Sequence, residues 1–149
     1  MMYRIELYQA EKQAQILDFL DKVYGELNWK FDLHGRHKAY KNIGESFEKF
    51  WCLFDDDTLI GTVALRKMSD SDYELKTLYL YKAYHGKKLG YMLIKTAIDY
   101  ARSHNYRRIY LDTVSTSESA VRLYRRNGFC DTERYNDNPV ADVFMVLEL

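Results

Sequence analysis

The chain has 149 residues, 22 basic and 22 acidic side chains, and a hydrophobic fraction of 47%. These values fit a single soluble domain, residues 1–149, and argue against a disordered segment. The net charge of zero argues against a dedicated nucleic-acid-binding protein, and no apolar run approaches the roughly 18 residues of a membrane-spanning helix.

Seven segments show the apolar alternation or the short apolar run that is typical of β-strands. They are residues 3–8, 47–54, 59–67, 73–81, 108–114, 129–135 and 140–149. Short polar turns join the second, third and fourth strands, which should therefore form an antiparallel meander. The Asn138-Pro139 pair separates the last two strands.

Three longer segments show helical periodicity. They run from about residue 10 to Gly25, from Leu89 to about Asn105, and from Ser115-Thr116-Ser117 to Asn127. The hydroxyls of the Ser-Thr-Ser run are expected to cap the third helix. Because a helix connects the strands at 73–81 and 108–114, these two strands should be parallel neighbours. The predicted fold is an α/β (α+β) mixed sheet of about seven strands, flanked by about four helices.

Residues 26–44 have no clean periodicity and fit a short helix or an ordered loop. The segment contains Trp29, Phe31, His34, His37 and Tyr40. These rings could line a substrate pocket, because loops often carry functional residues, or they could pack the loop onto the core. The sequence leaves both interpretations open.

The loop between the fourth strand and the next helix has the composition of a phosphate site. It reads His85-Gly86-Lys87-Lys88-Leu89-Gly90. Glycine lets the main chain approach a ligand, and the free N–H groups and the macrodipole of a helix start favour an anion. The two lysines add positive charge. Taken alone, the pattern also fits an ordinary connection between a strand and a helix.

Two separated segments resemble the GNAT family of N-acetyltransferases. In that family, an Arg/Gln-x-x-Gly-x-Gly/Ala loop between a strand and a helix binds the pyrophosphate of acetyl-CoA, and residues 85–90 stand in its place. Residues 117–129 are similar to the family's Asn-x-x-Ala-x-x-Leu-Tyr-x-x-x-Gly-Phe pattern. His85, Lys88 and Ser117 depart from the pattern, since the family usually has Arg or Gln, Gly, and Asn there. The resemblance covers most of the chain, and the order of the strands agrees with it.

The resemblance implies a GNAT-like acyl-CoA N-acyltransferase fold and an acetyl-CoA-dependent N-acetyltransferase that requires no metal. The acetyl group would pass directly to a primary amine of a small molecule or peptide. In the family, main-chain N–H groups of a bulged central strand polarise the thioester, and that strand splays away from its parallel neighbour. The residues expected to bind acetyl-CoA are Leu78, Tyr79, Leu80, His85, Gly86, Lys87, Lys88, Leu89, Gly90, Tyr91, Ser117 and Tyr124.

Three side chains are expected to serve the chemistry. Tyr124 matches the family's general acid, since a phenol with a reference pKa of about 10 is protonated at neutral pH. The alternative is that Tyr124 is one core tyrosine among fourteen. Glu74 and Asp112 stand where different family members place a general base. A water chain without a single base is the third option.

The two cysteines, Cys52 and Cys130, lack metal-ligand spacing and are expected to be buried structural thiols. Together with a polar N-terminus unlike a signal peptide, they favour a cytoplasmic protein. The expected partners are acetyl-CoA and an amine substrate, without nucleic acid or membrane. Dimers are common in the family, so a homodimer stays open.

Two other classes of function compete with an enzyme. The first is a catalytically degenerate acyl-CoA-binding sensor or regulatory module. The altered His85 and Lys88 positions favour it, and the intact Tyr124 argues against it. The second is a nucleotide-binding or protein-interaction module that uses the same loop. The absence of a Walker Lys-Ser/Thr ending and of a Rossmann glycine triplet counts against this second alternative.

Overall fold

The computed structural model describes residues 2–149, and within this range seven strands form one sheet in the order β1-β2-β3-β4-β5-β7-β6. The strands are β1 (Tyr3–Leu7), β2 (Lys49–Asp55), β3 (Thr58–Lys67), β4 (Asp72–Leu80), β5 (Arg108–Thr113), β6 (Cys130–Asp131) and β7 (Val143–Glu148). The four α-helices of the same range are α1 (Gln13–Glu26), α2 (Ile43–Ser46), α3 (Leu89–Ser103) and α4 (Glu118–Arg126). The predicted mixed sheet with about seven strands and four helices is confirmed.

The strands pair as the sequence predicts. β2, β3 and β4 form the antiparallel meander, and β4 and β5 are parallel. α3 makes the crossover between β4 and β5, which is why these two strands run in the same direction. β1 extends the sheet beside β2, and β7 lies antiparallel between β5 and β6. None of the helices in residues 2–149 is long and apolar enough to cross a membrane.

Each face of the sheet is covered by a different pair of helices. One core, beneath α1 and α2, includes Ile16, Phe19, Leu20, Phe50 and Phe54. The other core, beneath α3 and α4, includes Leu53, Leu65, Leu93, Ala97 and Met145. We call the two sides the α1/α2 face and the α3/α4 face.

Side-chain alternation along β4 and β5 decides which residues lie on each face. Leu75 and Leu111 belong to the core of the α3/α4 face. Because successive side chains of a strand point to opposite faces, Glu74, Lys76 and Asp112 lie on the α1/α2 face. Two candidate carboxylates therefore share one side of the sheet.

A bulge at Thr77 separates the second half of β4 from β5. Thr77 has a φ of 57°, and the register of β4 against β3 shifts at this point. β4 pairs with β5 only from Asp72↔Arg108 to Glu74↔Tyr110, so the splayed strands implied by the resemblance are confirmed. From Leu75 onward, this edge of β4 has no strand partner in the range 2–149. Its main-chain hydrogen-bonding groups are open to a ligand.

The strand predicted at residues 129–135 is wrong beyond its first residues, because only Cys130–Asp131 form β6. The following side chains draw the chain off the sheet edge. The Arg134 guanidinium donates to the carbonyls of Asn138 and Ala141, and the Tyr135 hydroxyl donates to Glu74. Cys130 is therefore exposed at an edge strand, which contradicts the expected buried thiol.

Three further local predictions concern Cys52, the end of α1 and the cap of α4. Cys52 is buried, as predicted. α1 passes through Gly25, and Asn28 takes the left-handed conformation beyond the helix end, with a φ of 58°. The expected hydroxyl cap of α4 is absent from Ser117, while Ser115 donates instead to Asp142 at 2.7 Å.

Residues 26–44 form the expected ordered segment. Turns lead into a 3-10 helix, Lys38–Asn42, which continues directly into α2. Three of its rings surround a side chain of α1: Trp29, Phe31 and His37 contact the Tyr24 ring at centroid distances of 6.0, 5.2 and 5.0 Å. The segment is therefore held against the α1/α2 face by aromatic packing.

Candidate active site

A cleft of about 1620 Å³ opens where β4 and β5 separate. Residues 75–80 and 112–114 line it from the two strands, and residues 88–91 and 116–120 border it from the starts of α3 and α4. On the α1/α2 face it is bordered by residues 26–30 and 136–141. The cleft therefore reaches from the uncovered edge of β4 to both helical layers.

Most of the predicted site residues meet in this cleft. Those that line it are Leu78, Tyr79, Leu80, His85, Gly86, Lys88, Leu89, Gly90, Tyr91, Asp112, Ser117 and Tyr124. Glu74 and Lys87 are not among its lining residues. Residues 2–149 contain no group of three His, Cys, Asp or Glu side chains that could hold a metal ion.

The loop before α3 presents an uncapped helix start to the cleft. Gly86 has a φ of 81°, a conformation that glycine adopts without strain. The His85 Nε2 hydrogen bonds to the Leu80 carbonyl oxygen at 3.0 Å, which ties the loop to the end of β4. α3 begins at Leu89 without a side-chain cap. The N–H groups of its first turn are therefore available to an anion.

Lys88 holds the left-handed conformation at the N-cap of α3, with a φ of 64°. The left-handed conformation costs a residue with a Cβ roughly 1–2 kcal/mol. Glycine avoids this cost but loses about 0.5–1 kcal/mol more in conformational entropy on folding. Lys88→Gly should therefore raise the free energy of unfolding by about 0.5–1 kcal/mol. Denaturant unfolding measures the change.

Lys87 provides the matched control for this substitution, because it is equally exposed and does not have a positive φ. Lys87→Gly should lower the free energy of unfolding by about 0.5–1 kcal/mol. Equal losses in the two variants would show that Lys88 is not strained.

The Tyr124 side chain is buried on α4, with its hydroxyl at the cleft. The residue is only 7% exposed, and its ring packs against Phe129 at a centroid distance of 5.9 Å. No hydrogen bond joins its hydroxyl to another residue of the range 2–149, although the side chain lines the cleft. Burial raises the pKa of the phenol, and the negative charge of Asp112 raises it further. The hydroxyl is therefore a protonated donor that is available to a ligand.

Glu74 is fully buried and its carboxylate is occupied by neighbouring groups. Its Oε1 accepts from the Arg66 guanidinium at 2.6 Å and lies 3.6 Å from Lys76 Nζ. Its Oε2 accepts from the Tyr135 hydroxyl at 2.5 Å and the Asn136 amide at 3.4 Å. These contacts anchor the segment that follows β6. A carboxylate held this way is poorly placed to take a proton from a substrate.

Asp112 has one occupied and one available oxygen. Oδ2 accepts from the amides of Asn136 and Asn138, at 2.6 and 3.2 Å. No other residue in 2–149 hydrogen bonds to Oδ1. Because Asp112 lines the cleft and Glu74 does not, Asp112 is the carboxylate that a bound substrate can reach.

Sequence reasoning missed the asparagines that hold Asp112. Asn136 donates to both candidate carboxylates, and Asn138 donates to Asp112. The only signal in the sequence is the polar run Asn136-Asp137-Asn138 beside the single proline. That run predicts a turn and gives no indication of the residues it contacts.

A cluster of hydroxyls fixes the bulge at Thr77. The Tyr40 hydroxyl and Thr77 Oγ1 are 2.7 Å apart, and Thr62 Oγ1 donates to the Thr77 carbonyl at 2.7 Å. The hydroxyls of Tyr24 and Tyr79 are 2.9 Å apart. Three elements, α1, β3 and the 3-10 helix Lys38–Asn42, therefore hold the irregular part of β4 in place. This cluster too was missed, because tyrosines are spread along the whole chain.

The aromatic residues in 26–44 divide between packing on the core and lining the cleft. Phe31 packs on Tyr24 without lining the cleft, whereas Trp29, His37 and Tyr40 both pack and line it. His34 is exposed and lies outside the lining. The segment therefore forms a wall of the cleft on the α1/α2 face.

Comparison with known proteins relates this geometry to one family. The family model described as Acetyltransferase (GNAT) family matches residues 6–129. An uncharacterized N-acetyltransferase of Schizosaccharomyces pombe is 39% identical over 94 residues, which are 62% of this chain and 58% of that protein. A probable N-acetyltransferase, camello, of Xenopus tropicalis is 32% identical over 82 residues, 54% of this chain and 37% of that protein. This chain thus covers less than two thirds of either relative.

Solved structures share the fold along the whole chain. The crystal structure of a GNAT-family acetyltransferase from Staphylococcus aureus Mu50 has a TM-score of 0.90 and 23% identity, over 99% of both chains. The PaiA N-acetyltransferase from Thermoplasma acidophilum, in complex with coenzyme A, has a TM-score of 0.78 and 20% identity, over 100% of both chains. At these identities the likeness is one of fold.

Proposed function

Because the chain belongs to the acetyltransferase (GNAT) family, we propose that it is an acetyl-CoA-dependent N-acetyltransferase that acts directly on a primary amine. One observation carries the proposal. The same cleft contains the uncapped start of α3, the open edge of β4 and the unpartnered hydroxyl of Tyr124. These three features match the three parts of the cosubstrate: its pyrophosphate, its pantetheine arm and its sulfur.

The binding mode follows from the hydrogen-bonding groups that each element offers. The first turn of α3 and the Lys88 ammonium would hold the pyrophosphate. The main chain of residues 78–80 would pair with the pantetheine arm like an added strand. Main-chain N–H groups beside the Thr77 bulge would stabilise the oxyanion that develops on the thioester, a contribution worth about 3 kcal/mol.

The proposed reaction transfers the acetyl group in one displacement. Asp112 Oδ1 accepts a proton from the substrate ammonium, directly or through water, which leaves a neutral amine. The amine nitrogen then forms a bond to the thioester carbon as the carbon–sulfur bond breaks. Tyr124 gives its proton to the departing thiolate. The nitrogen loses its second proton as the amide forms, and this proton returns to the Tyr124 phenolate through water. Asp112 releases its own proton to solvent. Glu74 takes no part in the proton transfers and holds the 135–138 segment.

Cosubstrate binding provides the first test of this proposal. Acetyl-CoA at a hundred times its dissociation constant should raise the free energy of unfolding by about 2.7 kcal/mol. Thermal unfolding with and without acetyl-CoA measures the gain, with ATP as the matched control ligand. A response to ATP but not to acetyl-CoA would favour a nucleotide-binding module and contradict the proposal.

Turnover provides the second test. Release of free thiol from acetyl-CoA, measured over a panel of amines, should identify at least one substrate. Acetyl-CoA binding without thiol release from any amine would favour the sensor or regulatory module instead.

A further inference from the structure

We infer that the acceptor is a free α-amino acid, with its amine at Asp112 and its carboxylate at Arg36. The inference rests on the proposed function, because it names the second substrate of the same cleft. Arg36 and Asp112 both line that cleft.

A single amide group separates the two charges. Arg36 Nη2 donates to Asn138 Oδ1 at 2.8 Å, and Asn138 Nδ2 donates to Asp112 Oδ2 at 3.2 Å. The guanidinium nitrogen and the carboxylate oxygen are therefore no more than about 8 Å apart, given two hydrogen bonds and the width of one amide. An α-amino acid that makes one hydrogen bond with its ammonium and another with its carboxylate spans about the same distance.

The charge of Arg36 has no carboxylate partner among residues 2–149. Its guanidinium contacts the neutral amide of Asn138, and no Asp or Glu oxygen lies within the 4.0 Å of an ion pair. Guanidinium offers five N–H donors in a planar fork, which suits bidentate contact with a carboxylate. Most of these donors are left for a ligand.

Two neighbouring cations of this face share one carboxylate. Arg66 and Lys76 both lie beside the buried Glu74 carboxylate, at 2.6 and 3.6 Å. Arg36 makes no such contact with a carboxylate, and Asp112 Oδ1 accepts no hydrogen bond from residues 2–149, so these two groups are available to a ligand anion and a ligand ammonium. An acceptor that carries both charges complements the pair.

His37 supplies a further donor beside Arg36. Its Nδ1 accepts from the Asp32 main-chain N–H at 2.9 Å, so the ring hydrogen of the neutral imidazole is on Nε2. The ring is stacked on Phe31 and lines the cleft. Burial and the charge of Arg36 lower the pKa of His37, which keeps the ring neutral. His37 acts as a hydrogen-bond donor and not as a base.

The same geometry selects against other amines. The N-terminus of a peptide has an amide where the free amino acid has its α-carboxylate, and a polyamine has no anion at all. Either would lack the carboxylate contact with Arg36, which lowers its affinity. The panel of amines should therefore compare each amino acid with its amide and with its decarboxylated amine.

The test measures kcat/KM for these matched acceptors in the wild type, Arg36→Met and Arg36→Lys. Arg36→Met should lower kcat/KM for amino acids about ten- to hundredfold, chiefly through KM, because a hydrogen-bonded charge contact is lost. It should leave the amides unchanged. Arg36→Lys keeps the charge without the fork and should lie between the two.

Two further variants separate this role from a structural one. Asn138→Ala removes the contact between Arg36 and the 135–138 segment but leaves the guanidinium, so discrimination between amino acid and amide should persist. Arg102 is an exposed arginine on α3 outside the cleft. Arg102→Met should change kcat/KM for neither the amino acids nor the amides.

The outcomes distinguish this inference from the proposed function. Equal kcat/KM for amino acids and amides, or equal losses for both in Arg36→Met, overturns the carboxylate assignment. Acetyl-CoA binding without turnover of any amino acid also overturns the inferred acceptor, but it leaves acetyl-CoA as the cosubstrate. Absence of acetyl-CoA binding overturns the proposed function itself.

Discussion

Tyr124→Phe is expected to lower kcat about 10²–10³-fold while acetyl-CoA binding stays the same, since a positioned general acid contributes about this much. The substitution removes one hydroxyl and keeps the ring that packs against Phe129. The hydroxyl makes no hydrogen bond within residues 2–149, so its loss should leave the free energy of unfolding nearly unchanged. Steady-state thiol release and a titration with acetyl-CoA measure the two effects separately.

Tyr100→Phe is the matched control, because Tyr100 lies on α3 away from the cleft and its hydroxyl donates to Glu48 at a long distance of 3.4 Å. It should leave kcat unchanged. Unchanged turnover in Tyr124→Phe would remove this hydroxyl from the mechanism. A loss of acetyl-CoA binding in that variant would show instead that the hydroxyl serves the cosubstrate.

Asp112→Asn is expected to lower turnover, whereas Glu74→Gln is expected to lower stability. Asp112→Asn should lower kcat/KM about 10²-fold or more, because the amide cannot accept the ammonium proton. Glu74→Gln should keep turnover within about tenfold and lower the free energy of unfolding by about 1–3 kcal/mol, because a buried charged hydrogen-bond acceptor is lost. Arg66 is 51% exposed, so solvent screening keeps the cost of its lost ion pair at the lower end of that range.

The pair of variants discriminates between the two carboxylates because both changes replace one oxygen with an NH₂ group of similar size. Kinetics and denaturant unfolding should be measured on each. The reverse outcome, with turnover lost in Glu74→Gln and kept in Asp112→Asn, would make Glu74 the base. Small effects on turnover in both would favour a water chain.

The elements that carry the cosubstrate could be predicted from the sequence because their signals are local. The alternation of β4, the glycines before α3 and the periodicity of α4 each lie within a few residues of the structure they specify. Lys88 shows the limit of such motifs. The lysine adopts the conformation expected of a glycine, with a φ of 64°, so the path of the main chain is kept although the residue departs from the pattern.

The acceptor side could not be predicted, because its contacts join residues that are far apart in sequence. Tyr135 and Glu74 are 61 positions apart, and Arg36 and Asn138 are 102 apart. The alternation at 129–135 favours a strand, but the hydrogen bonds of Arg134 and Tyr135 outweigh this local preference. A single-sequence pattern contains no information about such partners.

The gap between β4 and β5 also bears on strand pairing between molecules. An unpaired strand edge usually invites a strand from another molecule and is a hazard for aggregation. Here the unpaired edge is in the middle of the sheet, with β5 on one side and helices on both faces. A full strand has side chains above and below its main chain, so it needs more room between the two helical layers than a ligand without side chains. The position of this edge inside the sheet therefore favours a slender extended ligand over a strand of another molecule.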